Sequence, residues 1–269
     1  MEVSVLEARA LGIRVNDPKL AKAALAAMSG SFAPPKDTDG FGAASFVDDV
    51  FLLKRVPSAP PDGRFDDVMG SLKGPCSLLQ FRTAAELRPA KQLNSHANLG
   101  PFRFKGYAAA IIGGPQNADE ASASREALLQ GMPDSLLRSA TGNSEAEAFF
   151  LRLLAEGQKK GFLEHHQDGN WILPIVSEVA SMSKCSRAIL FATGREMALV
   201  SYGMPSCLIS VDGLCGDAER HAERERQRCF RGAFLFAGLP TPCPRELPLP
   251  AGMTVRSFPE DTALVLEKN

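Results

Sequence analysis

Residue types that often carry catalysis are sparse in this chain. Its 269 residues include 6 cysteines and 4 histidines, and no two cysteines have the C-x-x-C spacing of a metal cluster. His165 and His166 are adjacent and precede Asp168-Gly169, which is typical of a surface turn, and adjacent histidines rarely point into one metal site. The pattern therefore predicts no metal site and no cofactor.

Cys76 is one candidate nucleophile. It begins a predicted strand after Gly74-Pro75, and no basic residue lies close to it in the sequence to lower its pKa. We therefore expect an inert core thiol. A hydrolase that uses Cys76 or a glutamate as its nucleophile stays open as an alternative.

Three charged side chains are candidates for binding a small ligand. Arg82 could hold a carboxylate, or it could form a structural ion pair with Glu86, four residues later. Glu145 and Glu147 could form an acidic site. The alternative, which we favour, is that both are first-turn carboxylates of a helix, stabilised by its dipole.

The predicted elements that position these residues come in blocks, with strands first, then helices, then strands. Asp17-Pro18 supplies an N-cap and a proline at the first helical position. The block order predicts an α+β layered fold rather than a doubly wound sheet. The predicted strands are 9–15, 41–56 with a turn near Asp48-Asp49, 76–81, 102–112, 188–193, 196–202, 205–211, 232–237, 253–257 and 262–267, and the predicted helices are 18–29, 119–130, 144–159 and 173–183.

Composition excludes several classes of function. The formal net charge is −1, which argues against a partner that is nucleic acid or an anionic membrane. No apolar run approaches the ~18 residues of a membrane-spanning helix, and the start of the chain lacks a secretory signal. We therefore expect a cytoplasmic protein whose six cysteines are free thiols, mostly in the core.

Five short motifs, each weak alone, occur in an order that carries a resemblance. They are Asp39-Gly40-Phe41-Gly42, Phe81-Arg82-Thr83-Ala84-Ala85, Asn98-Leu99-Gly100-Pro101-Phe102, the strand from Tyr107 to Gly113, and Ser144-Glu145-Ala146-Glu147. In this order they resemble the D-G-W-G, H-x-R-x-A, N-x-H-P-F, H-N-G and T-D-S-E motifs of the glutaminase domain of class II glutamine amidotransferases. That family has the N-terminal-nucleophile hydrolase fold, so the resemblance implies an αββα sandwich of two antiparallel sheets, with residues 1–269 as one domain.

The resemblance also locates the position of the family's nucleophile, which is an N-terminal cysteine whose free α-amino group serves as the base. The segment Arg9-Ala10-Leu11-Gly12 resembles the residues that follow that cysteine, so the nucleophile position falls on Ala8, with seven residues ahead of it. A methyl group cannot form a thioester, and an Ala8 amide cannot act as an amine base.

The oxyanion and substrate positions of the family are altered too. The H-N-G asparagine, an oxyanion donor, falls on Ile112, with Ile111 before it and Gly113 retained. The aspartate that receives the substrate α-amino group falls on Glu145. Arg82, the family's carboxylate clamp, and Asn98 are kept, as vestigial ligand-binding residues.

A possible interface lies in the segment from about 203 to 250. Arg220, Arg224 and Arg228 form an i, i+4 stripe if residues 217–228 are helical, and such a stripe could bind phosphate or an acidic partner. Interleaved glutamates at 219, 223 and 225 favour a solvated face with local ion pairs instead.

Together these features predict a non-catalytic pseudoenzyme that acts as a binding, regulatory or assembly subunit, with a protein partner or as a homo-oligomer. One alternative is a true glutamine amidotransferase whose cysteine was replaced at Ala8, after a cleaved propeptide of seven residues. The Ile111-Ile112 pair argues against it, because a replacement at Ala8 would not explain those isoleucines.

Overall fold

The structure is a computed structural model that describes residues 6–28, 31–57, 72–83, 96–115, 117–162, 172–183, 185–194, 196–214, 221–243, 247, 249–258 and 262–266. The strands in chain order are β1 (Leu6–Glu7), β2 (Ala10–Val15), β3 (Phe32–Ala33), β4 (Thr38–Val47), β5 (Val50–Val56), β6 (Cys76–Thr83), β7 (Phe102–Phe104), β8 (Tyr107–Gly113), β9 (Arg187–Ala192), β10 (Met197–Tyr202), β11 (Ser206–Asp212), β12 (Arg231–Ala237), β13 (Met253–Phe258) and β14 (Thr262–Leu266). The α-helices are α1 (Pro18–Ala27), α2 (Ala118–Leu129), α3 (Asp134–Leu137), α4 (Glu145–Lys159), α5 (Ile172–Ser183) and α6 (His221–Arg228).

The strands form two large antiparallel sheets and one short pair. The seven-stranded sheet has the order β13-β11-β12-β2-β6-β4-β5, and the five-stranded sheet has the order β14-β10-β9-β8-β7. Strands β1 and β3 pair in parallel. No helix in the described part of the chain is long and apolar enough to cross a membrane.

Three apolar clusters define the layers. Because successive side chains of a strand point to opposite faces, Leu11 and Ile13 of β2 pack with α1, whereas Ala10 lies in the cluster shared by both sheets. A Cβ on Gly12 would lie 2.7 Å from Met197 Sδ of the other sheet. The outer face of the five-stranded sheet is covered by helices α2 to α5. The predicted αββα sandwich of two antiparallel sheets is therefore confirmed.

Local signals explain where the elements begin and end. Asp17 caps α1 and accepts a hydrogen bond from Lys19 N at 3.0 Å, with Pro18 at the first helical position, as predicted. The predicted turn at Asp48-Asp49 is also present, and both residues have positive φ, 48° and 67°. Polar residues that tolerate this backbone conformation allow the tight reversal between β4 and β5.

The predicted strand 102–112 is interrupted by a turn, whereas the strand predicted from Tyr107 to Gly113 is present. The structure has two strands there, β7 and β8, which pair with each other across a tight turn. Lys105 in that turn has φ 51°. The following Gly106 is the only turn signal in this segment of the sequence. A lysine does not predict a left-handed backbone.

Candidate functional site

Ala8, the expected nucleophile position, lies in the core where β2 begins. Its side chain is fully buried and belongs to the cluster under α1. The next residue is fixed on both sides, since Arg9 N donates to Ala237 O at 3.1 Å and Phe81 N donates to Arg9 O at 2.8 Å. This position is therefore a rigid, internal part of the chain that is preceded by strand β1.

The two isoleucines at the expected oxyanion position face opposite ways. Ile111 belongs to the cluster under the helices, and Ile112 belongs to the cluster between the sheets. A Cβ built on Gly238 would lie 2.7 Å from Ile112 Cγ2 and 3.3 Å from Arg9 Cβ. The structure thus places Ile112 of β8 close to Arg9, the residue that follows Ala8. The Ile112 side chain at this position is hydrocarbon.

Gln80 is a site residue that the sequence analysis missed. It is buried in β6. Its Nε2 donates to Ile111 O at 2.8 Å, and its Oε1 accepts from Ile111 N at 3.3 Å. The side chain thereby satisfies both backbone groups of Ile111 and joins the two sheets. A glutamine in an otherwise apolar strand segment was the only available signal.

Close glycine contacts join two of the motifs. A Cβ on Gly42 would lie 1.9 Å from Gly100 O, so the D-G-F-G strand touches the backbone of the N-L-G-P-F segment. Gly113 has φ +88°, and a Cβ there would lie 2.2 Å from Ser186 O. Both positions require glycine because no side chain fits at such distances.

Asn98 has a structural role at the N-terminus of α4. Its Oδ1 accepts hydrogen bonds from Asn143 N at 2.6 Å and from Ser144 N at 3.1 Å. Ser144 in turn caps α4 by accepting from Glu147 N at 3.1 Å. Asn98 therefore brings two motifs together, the N-L-G-P-F segment and the start of α4.

Glu145 is bound by a residue that the sequence analysis did not consider. Arg187 Nη2 donates to Glu145 Oε1, and Ser124 Oγ donates to the same oxygen at 2.7 Å. Arg187 is fully buried, and its guanidinium carbon lies 4.2 Å from the centre of the Phe149 ring. The signal was an arginine at the start of a buried strand, which requires a carboxylate partner nearby.

Glu147 binds the loop that precedes α4. Its carboxylate accepts hydrogen bonds from Thr141 N at 2.9 Å, Thr141 Oγ1 at 2.9 Å and Gly142 N at 2.8 Å. Glu145 and Glu147 are first-turn carboxylates of α4, as predicted. Each also has specific partners, so neither is a solvated charge.

Arg82 lies near the end of β6 and is 8% exposed. Its Nη2 donates to Pro57 O, and a Cβ on Gly40 would lie 3.1 Å from the same nitrogen. Glu86, the predicted ion-pair partner, lies outside the described residues. Binding of a carboxylate by Arg82 stays a prediction.

Cys76 is fully buried, and burial raises the pKa of its thiol to about 12, although Arg14 acts in the opposite direction. The sequence analysis noted no basic neighbour along the chain. Arg14 is such a neighbour in space, because it is paired with Cys76 across strands β2 and β6. Desolvation nevertheless outweighs its charge, and the structure supports the inert core thiol.

The arginine stripe is only partly described. Arg224 and Arg228 lie on exposed positions of α6, whereas Arg220 lies outside the described residues. Arg228 contacts Glu225 at 3.3 Å, and Arg226 of the same helix pairs with Asp17. Local ion pairs are therefore present on α6. The segment 163–171, which contains His165 and His166, also lies outside the described residues.

Comparison with solved structures places this geometry among known folds. A glutamine aminotransferase class-II domain protein from Silicibacter pomeroyi aligns with a TM-score of 0.54 and 15% identity over 96% of this chain and 94% of that one. A predicted glutamine amidotransferase from Pseudomonas aeruginosa PA01 aligns with a TM-score of 0.50 and 15% identity, over 96% and 97%. The chain has the class II glutamine amidotransferase fold. No protein-family model matches its sequence, and no curated protein sequence does.

That fold gives the site residues a common frame. In the class II amidotransferase-like sandwich, Ala8 lies just before β2 begins, Ile112 and Gly113 lie where β8 ends, and Ile112 and Arg9 both face Gly238. Asn98 and Glu145 meet at the N-terminus of α4. The likeness is one of fold, and the chemistry at these positions is decided by the residues of this chain.

Proposed function

We propose that this protein is a class II glutamine amidotransferase-like protein, one domain over residues 1–269, that does not hydrolyse glutamine. It acts in the cytoplasm as a binding, regulatory or assembly subunit. The observation that carries the proposal is the buried pair of Arg187 and Glu145. Cys76, Cys207 and Cys229 are free thiols, which suits a reducing compartment.

The Arg187–Glu145 pair bears directly on substrate binding. In the family that the motifs resemble, the carboxylate at the Glu145 position receives the substrate ammonium group. Here Arg187 already supplies a cation to that carboxylate. A second cation about 4 Å from the guanidinium would be repelled by about 4 kcal/mol at an effective dielectric constant of 20. Glu145 is thus a poor receptor for a glutamine α-amino group.

The residues for covalent chemistry support the same proposal. The methyl group of Ala8 offers no nucleophile, and the Ile112 side chain offers no hydrogen bond to a developing oxyanion. Loss of one oxyanion donor alone lowers a rate about 10²–10³-fold. Cys76 does not replace the missing nucleophile, because it is fully buried and its thiol pKa is raised to about 12.

Ammonia release from glutamine tests this proposal directly. We expect the purified protein to release no ammonia above the buffer background. The Ala8→Cys variant should be equally inactive, because the free α-amino base, the oxyanion donor and the ammonium receptor are still missing. Glutamine turnover by the unmodified protein that disappears in Arg82→Ala would contradict the proposal, provided that circular dichroism shows both proteins folded.

The partner-binding role can be tested on the arginine stripe. Reversal of Arg220, Arg224 and Arg228 to glutamate should remove a partner recovered by affinity purification from the native host, without lowering the melting temperature. Reversal of Lys22, Lys54 and Lys73, three exposed lysines elsewhere, is the matched control. An unchanged set of partners would place the interface outside this stripe.

A further inference from the structure

A cavity of about 630 Å³ shares only Glu147 with the five motifs of the glutaminase resemblance. It is formed by the β4–β5 hairpin, the β7–β8 turn and the loop before α4, and Ala8, Arg82, Ile112 and Glu145 are not among its lining residues. Its volume falls within the usual range for pockets that bind small molecules, about 300–1,000 Å³.

Three cationic side chains line this cavity, namely Arg55, Arg103 and Lys105. Arg55 is half-buried, and its two terminal nitrogens donate to backbone carbonyls, to His96 O at 3.1 Å and to Pro101 O at 2.9 Å. Arg103 Nη1 donates to Phe51 O at 2.6 Å. These hydrogen bonds hold the guanidinium groups in place. Because a carbonyl group carries no net charge, it does not neutralise the arginine that it binds.

The acidic side chains of the lining do not balance these cations. Two are present, Asp49 and Glu147. Glu147 accepts three hydrogen bonds from Thr141 and Gly142, so its oxygens are already engaged by the loop. Asp49 lies exposed in the β4–β5 turn. Three cations against two anions leave the cavity with a net positive charge.

Burial and two charged neighbours act on Arg55, and the attraction of Glu147 is stronger than the repulsion of Arg103. Burial lowers the pKa of its guanidinium, Glu147 raises it, and the like charge of Arg103 lowers it again. Two arginines that repel each other across a concave surface are stabilised by an anion that lies between them. The remaining walls include the apolar side chains of Val50, Leu53 and Phe104.

We propose that this cavity binds a phosphorylated small molecule. Its phosphate oxygens accept hydrogen bonds from Arg103 and Lys105, the fixed charge of Arg55 adds to the attraction, and its organic body packs against Leu53 and Phe104. Phosphate suits the site because arginine donates to it in a bidentate manner, and because a dianion matches several cations better than a single carboxylate does. The proposal is independent of whether glutamine is hydrolysed.

Isothermal titration of the full chain with inorganic phosphate and with AMP tests the proposal. We expect saturable binding of both, with AMP tighter than inorganic phosphate because its nucleoside covers the apolar wall. Arg103→Gln and Lys105→Asn should each weaken binding about tenfold or more, as expected for loss of a hydrogen bond between charged groups. Asparagine is chosen at position 105 because it tolerates the positive φ there.

The matched control is Lys54→Gln. Lys54 is exposed, precedes Arg55 on β5 and is not among the lining residues, so its loss removes the same charge without touching the cavity. Binding should be unchanged in this variant. The proposal is overturned if no phosphate probe binds saturably, or if Lys54→Gln weakens binding as much as Arg103→Gln does. Equal affinities for AMP and inorganic phosphate would overturn the assignment of the apolar wall.

Discussion

Arg187 and Glu145, 42 residues apart in the chain, form an ion pair that is buried beneath the helical layer. Arg187 begins β9 and is paired with Gly113 of β8, while Glu145 opens α4. The pair therefore fixes the first turn of a helix to the centre of the five-stranded sheet. Under the proposed function, this contact makes the Glu145 carboxylate a poor receptor for the ammonium group of an amino-acid substrate.

The first prediction concerns the stability of this pair. Arg187→Met should lower the free energy of unfolding by about 3–5 kcal/mol, because it leaves the Glu145 carboxylate buried without its cation. The double variant Arg187→Met/Glu145→Leu should recover most of that loss, since no charge is then buried alone. Urea unfolding followed by circular dichroism measures both values.

An exposed ion pair provides the control for this measurement. Arg228 and Glu225 contact each other at 3.3 Å on α6, with both side chains more than half exposed. Arg228→Ala should change the free energy of unfolding by less than about 0.5 kcal/mol. A double variant that is no more stable than Arg187→Met would show that the pair is not the source of the loss.

The second prediction concerns the contact between Gly42 and Gly100. Gly42→Ala should prevent stable folding or lower stability by several kcal/mol, because the added Cβ would lie 1.9 Å from Gly100 O, a backbone atom that cannot rotate away. Gly106→Ala is the matched control, since its Cβ would have no heavy atom within 4 Å. Expression and thermal melting of both variants check this. Equal melting temperatures would mean that the two segments do not pack this closely.

The order of strand and helix blocks was enough to predict an α+β layered fold, whereas the αββα sandwich came from the motif resemblance. The predicted strand 9–15 and the cap at Asp17, followed by Pro18, are local signals, and both are present in the structure. The turn at Lys105 was missed because its left-handed backbone is imposed by the pairing of β7 with β8. That pairing is a tertiary effect, which sequence propensity does not record.

The site was less predictable because its contacts join distant residues. The motif resemblance identified Ala8, Ile112 and Glu145, but Arg187 and Gln80 came only from the structure. Each of these two satisfies a partner at least 31 residues away. Nothing in a single sequence says which buried polar groups will meet, so their pairing could not be derived from spacing.

The third prediction follows from the contact between Asp17 and Arg226. The hydrogen bond from Arg226 holds the pKa of the Asp17 carboxyl below its usual value. A carboxyl with a depressed folded-state pKa stabilises the protein above its unfolded pKa of about 3.9, and this contribution disappears as the pH falls through the folded pKa. Arg226→Gln should therefore lower the melting temperature near neutral pH but not near pH 2.

Melting curves of both proteins between pH 2 and pH 7 measure this difference. The helix cap itself is tested separately, since Asp17→Ala also removes the bond to Lys19 N and should lower stability by about 1 kcal/mol. A melting difference between the unmodified protein and Arg226→Gln that stays constant over the whole pH range would mean that the ion pair does not depend on Asp17 ionisation.

The fourth prediction ranks the thiols by reactivity. Cys229 is exposed, Cys185 is half-buried and its thiol pKa is raised by burial, and Cys76 is fully buried with a thiol pKa of about 12. Since only the thiolate reacts, iodoacetamide at pH 8 should label Cys229 first, then Cys185. At that pH a thiol of pKa 12 is ionised in only about 1 molecule in 10⁴, and Cys76 is in addition closed to solvent. It should therefore react only when the fold opens, at the rate of unfolding of the seven-stranded sheet.

Mass spectrometry of peptides after timed labelling measures the order, and labelling in urea, where all six cysteines should react, is the control. Labelling of Cys76 in the folded protein as fast as Cys229 would reopen the possibility that Cys76 is a nucleophile.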